Sequence, residues 1–376
     1  MSANIDNFNP VRKPKIFNNR DWFIEGWYWV LPAKLLQVGE VKSVTIYGKE
    51  LIVYRGQDKR AVVMDAYCPH LGANLAKGKV IGNEINCVLH GWKFDNEGVC
   101  VHVPALDEPM AIKAKTWPTA EAYGMIWVWT GETPQQPLPF ILEWENQDFH
   151  YSLGSQFNIN SHPHVLLINA IDIQHFHSVY NLPLSLVLAK QELNENAIVF
   201  SNVSNMSNIS DLVNVHHKSL WWKFCRKFFK GSLNYSVCYW YGTTAIVSFV
   251  VNSFQLHIIF ATRMLAGGNT QGQSLVMVKK RQGIIGMMIN KILLLLGKNM
   301  SDRLIKNNDQ FFSHIQFNLK TPLKADLSIM QFINHLEQQK PILWESWLLK
   351  RSPQRTEEHL EQREKRGKWR DELVND

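Results

Sequence analysis

Cysteine is scarce in this sequence: five residues, at positions 68, 87, 100, 225 and 238, in a chain of 376. So few, and an odd number, argue against a disulfide framework. Long apolar runs are lacking too. The most apolar stretch, Ile284–Leu296, is thirteen residues long and is interrupted by Asn290 and Lys291. A bilayer-spanning helix needs about 20 apolar residues, so no transmembrane span is expected. The opening residues, Met1–Lys15, contain no apolar core of a secretory signal. Internal repeats and low-complexity tracts are absent. Charge of one sign is only mildly in excess: Lys and Arg total 40 against 33 for Asp and Glu, a net +7. That suits an acidic protein partner or a membrane surface as well as nucleic acid. No nucleic-acid-reading motif accompanies it, so no nucleic-acid partner is expected. What remains is globular: 45% hydrophobic and 19% charged residues, at a length suited to two domains.

The first third of the chain reads as short strands. Val44–Tyr47, Leu51–Tyr54 and Ala61–Tyr67 are β-rich runs separated by the turn-like Gly48-Lys49-Glu50 and Gly56-Gln57-Asp58. Met125–Trp129 is a further strand. Residues 131–139 are proline-rich, as at a domain boundary. Beyond them the classes mix. His162–Tyr180 reads as helical. Val237–Asn252, Gln255–Leu265 and Ser274–Lys280 are β-branched and aromatic runs that predict an antiparallel sheet. Arg303–Asn318 and Ile329–Gln339 read as helices. Thr356–Asp376 alternates acids and bases as a solvated helix does.

The strongest chemical signal is Cys68-Pro69-His70, sixteen further residues, then Cys87-Val88-Leu89-His90. Two Cys and two His are enough for a zinc ion. Two features count against zinc. The first pair is separated by one residue, where zinc ribbons use two to four. Both halves also sit in glycine-bearing loops, 68–72 and 87–92, next to β-strands. The pattern resembles the Rieske [2Fe–2S] motif, in which Cys68 and Cys87 would hold one iron and His70 and His90 the other. Neutral imidazoles on the reducible iron lower the net negative charge and raise the potential above that of four-cysteine clusters. Gly72 and Gly91 would let backbone N–H groups approach the sulfides, and Pro104 matches a proline loop that covers such clusters. Cys100, Cys225 and Cys238 have no partner in the motif and are expected to be buried apolar residues.

About 240 residues follow the cluster region, and within them Asn169-Ala170-Ile171-Asp172-Ile173-Gln174-His175-Phe176-His177-Ser178-Val179-Tyr180 resembles the iron-binding segment of Rieske non-haem oxygenases. The layout of nearly the whole chain is similar to oxygenase subunits of the 3-ketosteroid 9α-hydroxylase and cholesterol 7-desaturase type. That resemblance implies an α+β chain. An N-terminal all-β Rieske domain would span 20–132. A helix–antiparallel-sheet catalytic domain, helix-grip-like, would span 140–350, with a charged helix or tail over 351–376. It implies a mononuclear Fe(II) held by two His and one carboxylate, with positions left open for O₂. Asn169 and Asp172 would be site residues, Asp172 bridging to a cluster on a neighbouring subunit. His175 matches the first iron histidine.

The second histidine is expected at 180, where this sequence has Tyr180. Three readings stay open: His177 replaces it, Tyr180 itself ligates, or the site holds no iron. His177 is two residues from His175, roughly 200° around a helix, so it ligates only if the helix breaks. For the carboxylate, Asn307–Phe312 matches the family's late acidic segment through Asp309, with Asp302 and Asp326 as alternatives. His162 and His164, which flank Pro163, are expected to stabilise the start of the helix rather than bind iron.

Two segments hint at substrate access. Residues 220–230 carry four bases, five aromatics and no acid. Ile284–Leu296 lies between Lys279-Lys280-Arg281 and Lys298. Both look like interfacial segments, though snorkelling lysines on a core helix look the same. The expected function is oxygen insertion into a small lipophilic substrate by hydroxylation, desaturation or demethylation. Glycine-rich flavin or nicotinamide fingerprints are missing, so a ferredoxin or flavin reductase must supply the electrons. A cytoplasmic homotrimer with peripheral membrane contact is the expected setting. The rival reading is an electron carrier whose mononuclear iron site has decayed.

Overall fold

A computed structural model describes residues 15–141, 148–180, 187–202, 233–251 and 254–344, excluding the side chains of Tyr180 and Leu233. The segment 220–230, Cys225, the tail 356–376 and the Tyr180 side chain lie outside the described residues. The chain is α+β, with β-rich N-terminal sheets followed by one large antiparallel sheet packed against helices.

The N-terminal part contains strands β1 (Trp27–Pro32), β2 (Val41–Ile46), β3 (Lys49–Arg55), β4 (Ala61–Asp65), β5 (Lys79–Ile81), β6 (Glu84–Asn86), β7 (Lys93–Phe94), β8 (Cys100–His102), β9 (Thr116–Trp117), β10 (Thr119–Ala122) and β11 (Met125–Trp129). They form three small sheets, ordered β9-β4-β3-β2, β10-β11-β1 and β5-β6-β7-β8. The β2–β3 hairpin turns on Tyr47 and Gly48, at φ of 46° and 75°, because Ile46 pairs directly with Lys49. A two-residue turn with both central residues at positive φ matches the twist of its strands. Lys49 and Glu50, expected in that turn, are instead strand residues.

The second part opens with β12 (Phe149–Ile159), α1 (Pro163–Leu167) and α2 (Ile173–Tyr180). It continues through β13 (Leu188–Asn194), β14 (Ala197–Asn202), β15 (Leu233–Trp240), β16 (Thr244–Val251), β17 (Phe254–Met264) and β18 (Thr270–Lys279). Helices α3 (Gly283–Phe312) and α4 (Leu327–Gln338) follow. The seven strands form one antiparallel sheet in the order β12-β18-β17-β16-β15-β14-β13. The stretch expected as one strand over Val237–Asn252 is two, because Tyr241 and Gly242 take positive φ and reverse the chain. A Cβ at Gly242 would stand 2.9 Å from Leu336 and 3.0 Å from His164, so a side chain has no room there. The run expected as a helix over His162–Tyr180 is also divided. α1 passes into a 3-10 turn at Ile168–Ile171, and α2 restarts after Asp172.

One face of the sheet carries the helices. Tyr239 donates its hydroxyl to the Leu167 carbonyl and Tyr235 to that of Ala170, which fixes the turn ahead of α2. α3 lies across β12, β18 and β17 on the same face. The opposite face meets the N-terminal sheets. There Arg263, buried on β17, stacks over Trp29 at 4.5 Å and donates to the backbone carbonyls of Trp29 and Val30. Phe23–Ile24 pairs with Pro341–Ile342, and Trp344 donates to the Ile46 carbonyl, so both ends of the described chain join the two halves.

Candidate metal centres

Two loops carry the Cys/His motif. One leaves β4 and the other closes the β6–β7 hairpin. Their backbones follow one pattern. In the first, Cys68 N–H donates to Ala73 O at 2.9 Å and Gly72 N–H returns to Cys68 O at 2.9 Å. In the second, Cys87 N–H donates to Trp92 O at 2.8 Å and Gly91 N–H returns to Cys87 O at 3.0 Å. Gly72 and Gly91 sit at φ of 73° and 71°, which L side chains rarely adopt. A Cβ at Gly91 would also lie 3.1 Å from Pro104, so the proline loop does close over the second loop.

The donors are polarised. Cys68 and Cys87 are buried, whereas His70 and His90 are exposed with ring centroids 4.8 Å apart. His70 lies flat on Trp92, 4.3 Å away with 5° between the planes. The motif gave no hint of that stack; only its loop position beside His90 marked Trp92. Burial pushes the Cys68 thiol up to about 11; the His70 backbone N–H works against the rise and the neighbouring Cys87 thiol adds to it. Two sulfurs buried together need cationic iron to exist as thiolates, and inner thiols with outer imidazoles divide as a cluster with two distinct irons requires. Zinc needs all four donors on one point. Among the described residues no three His, Cys, Asp or Glu converge to hold a single ion.

The sequence comparisons agree with this geometry. A family model described as the Rieske [2Fe-2S] domain matches residues 26–118. The chain carries a Rieske [2Fe–2S] domain. Over 159 residues the chain is 38% identical to a cholesterol 7-desaturase of Bombyx mori, covering 42% of this chain and 35% of that protein. Over 170 residues it is 36% identical to the aminopyrrolnitrin oxygenase PrnD of Pseudomonas fluorescens, covering 42% of this chain and 46% of that one. The match thus spans less than half of either relative. In fold the likeness runs further. Pseudomonas putida CBB5 NdmB aligns with a TM-score of 0.66 at 13% identity, covering 90% of this chain and all of that one. Dicamba monooxygenase bound to dicamba aligns at 0.62 and 16% identity, covering 84% of this chain and 97% of the other.

The second centre is assembled differently. Asp172 precedes α2 and accepts the His175 backbone N–H at 2.9 Å, so it caps the helix it introduces. Asp172, Gln174, His175, His177 and Ser178 line an open cavity of about 480 Å³. Phe311 and Phe312, at the end of α3, contact the His175 ring at centroid distances of 5.6 Å and 6.3 Å. Burial lowers the His175 pKa, and Asp172 opposes the shift. Asn169 donates to the side-chain oxygen of Asn308, tying the turn before α2 to α3.

Asp309 is the next residue on α3, but it is exposed and accepts from Ser313 Oγ at 2.6 Å. His177 is exposed on a continuous helix; the break that would turn it toward His175 is not there. As placed, His175, His177 and Asp309 do not form a metal triad. Of the alternatives, Asp326 is buried and accepts from Gln174 at 2.7 Å and from the Leu323 N–H at 2.7 Å, a structural role next to α2. His162 caps α1, its Nδ1 accepting from the His164 N–H at 3.2 Å. Cys100 is buried as expected, whereas Cys238 is half-buried.

Proposed function

We propose that this chain is the oxygenase subunit of a Rieske-type system that hydroxylates, desaturates or demethylates a small lipophilic molecule. The observation that carries the reading is the joining of two features. One is a complete cluster cradle, Cys68/His70/Cys87/His90. The other is a helix-and-sheet unit whose α2 presents Asp172 and His175 to an open cavity. The relatives support the substrate class: their names include a cholesterol desaturase and a 3-ketosteroid-9-alpha-monooxygenase component. Bound there, the [2Fe–2S] cluster supplies single electrons, delivered by a ferredoxin or flavin reductase.

The protein's own groups then have separate tasks. The cysteines anchor the cluster in the interior. His70, held flat by Trp92, and His90 bring its other end to the surface. Around them Leu71, Val88 and Leu89 are exposed and make an apolar rim fit for docking. In this reading Asp172, which lines the α2 cavity, meets that histidine end in a neighbouring copy of a head-to-tail trimer. His175 would anchor mononuclear iron and Tyr180 is a candidate second donor; His177 and Asp309, which do not converge with His175 as placed, would have to turn toward it to complete the set. The boundaries proposed for the two domains are 20–132 and 140–350. A membrane surface as the source of a lipophilic substrate completes the reading.

The second reading is an electron-transfer protein. It is favoured by Tyr180 at the expected histidine position and by the separation of Asp309 from His175. Iron and sulfide content distinguish the two. Three irons and two sulfides per chain, with substrate-dependent O₂ consumption when a reductase is added, support the oxygenase. Two irons, and none gained on Fe(II) addition, support the carrier.

A further inference from the structure

α3 is turned inside out for a helix on a protein surface. Apart from Leu293, its seated face is small or polar: Gly286, Asn290, Leu293, Gly297 and Ser301 are the buried positions between Gly283 and Ser301. Gly297 lets the helix settle onto the sheet, since a Cβ there would stand 2.4 Å from Val276 and 2.8 Å from Leu256. Ser301 meets Ser274 at 3.2 Å. The large apolar side chains point the other way. Ile284 and Ile285 are each 76% exposed, Met288 59%, Leu295 60% and Ile292 49%. On a helix of 3.6 residues per turn these five fall within one arc opposite the seated face. Ordinary amphipathic packing buries the large residues and exposes the small.

Charge narrows the choice of what covers this arc. From Lys279 to Ser301 there are five bases and no acid. Lys291 and Lys298 are exposed and lie on the outward side beside the apolar arc, not on the seated face. Lys280 is paired with Asp148 at 3.0 Å, both exposed. A second copy laid face to face by two-fold symmetry would set these bases against one another. Anionic headgroups meet the same pattern favourably, with the apolar arc entering the acyl boundary.

We propose that the outward face of α3, centred on Ile284, Ile285, Met288 and Leu295, docks the protein on an anionic lipid leaflet. This rests on the membrane contact proposed above and names its face and lipid class. By length and composition α3 is the one helix among the described residues that can cross a bilayer. It lies on the surface instead, because its seated residues recur every three or four positions and hold it against the sheet. The docked helix ends at Phe311 and Phe312 against His175.

The test is flotation of the full-length, cluster-loaded protein with phosphatidylcholine vesicles, with and without 30 mole per cent phosphatidylserine. Tight binding is expected only with phosphatidylserine. The variant Ile284→Gln/Ile285→Gln/Met288→Gln/Leu295→Gln should lose binding at least tenfold while keeping its visible absorption and melting temperature. Lys291→Gln/Lys298→Gln should lose binding on the anionic vesicles by several-fold. If the apolar variant binds as well as the parent, α3 is the wrong face and membrane contact lies elsewhere in the chain. If the parent binds neither vesicle, both the docking face and the membrane reading fall. Light scattering covers the remaining case: a parent oligomer that the variant breaks down, without lipid binding, assigns the face to a second copy and overturns the proposal.

Discussion

The two candidate centres differ in how far the chain travels to build them. Each half of the cluster cradle is a single loop. Within it the donor cysteine, the donor histidine and the glycine that closes the turn lie within five residues, and the two loops repeat the same backbone bonds. The second centre needs α2 and the end of α3, more than 120 residues apart in sequence. Only their contact brings His175 near Phe311 and Phe312. A site written in one loop survives changes elsewhere in the fold. One drawn from two helices depends on the rotation of each, and a turn of about 100° per residue separates Asn308, which meets Asn169 in the turn before α2, from Asp309, which does not.

That contrast can be broken most directly at the cysteines. Cys68→Ser or Cys87→Ser should abolish the visible absorption and all cluster iron, because a hydroxyl does not replace a buried thiolate. A colourless parent protein holding one zinc per chain would end the Rieske assignment outright. The opposite manipulation completes the second centre. Tyr180→His restores the expected spacing from His175 and should raise iron content by one per chain with no change in the cluster spectrum. If the parent already holds that iron, His177→Ala and Tyr180→Phe tell which residue binds it. The ligand variant loses one iron and the other keeps it.

A finer difference concerns the irons of the cluster. His90→Cys adds a thiolate to the outer iron and should lower the potential toward the about −400 mV of plant-type clusters. An unchanged potential in protein film voltammetry would place His90 off the iron.

Protonation separates the second part of the chain from the first in a gentler way. Burial lowers His162 and His257 to about 4 and takes His164 further down. Unfolded histidines titrate near 6.5, so below that pH the unfolded chain binds more protons than the folded one. Stability from these groups is therefore full above about pH 6.5 and is lost as pH falls toward 4. At pH 5 the cost is on the order of 2 kcal/mol for each histidine. A melting temperature that holds flat from pH 7 to 5 would contradict their burial as neutral rings. The smallest effect is expected at the β15–β16 turn. Gly242→Ala meets both a positive φ of 67° and the Leu336 and His164 side chains, and should cost about 1–3 kcal/mol.

The candidate cluster ligands were legible because iron–sulfur chemistry constrains residue type and spacing over a few positions. Four of the sheet's seven strands, β15 to β18, were legible because β-branched and aromatic runs mark strands; β12 and β13, which carry no such continuous run, and the short β14 were not read as strands. The turn at Tyr241-Gly242 was hidden, since an aromatic residue at positive φ looks like strand in composition. Hidden for a related reason was the continuity of α3. Its apolar first half and charged second half read as separate segments, and only packing against β12 and β18 makes them one helix.

By itself, then, the sequence determined the four candidate cluster donors, the order of β-rich and mixed halves, and the identity of the residues that open α2. Local spacing and short-range backbone geometry suffice for those. The tertiary structure alone decided that Trp92 lies under His70, that Asn308 rather than Asp309 meets Asn169 in the turn before α2, and that the first part of α3 seats mostly small or polar residues and turns Ile284, Ile285, Met288, Ile292 and Leu295 outward. Each of these depends on which faces of distant elements meet. The periodicity of one segment offers several faces, and only the packed partner selects among them.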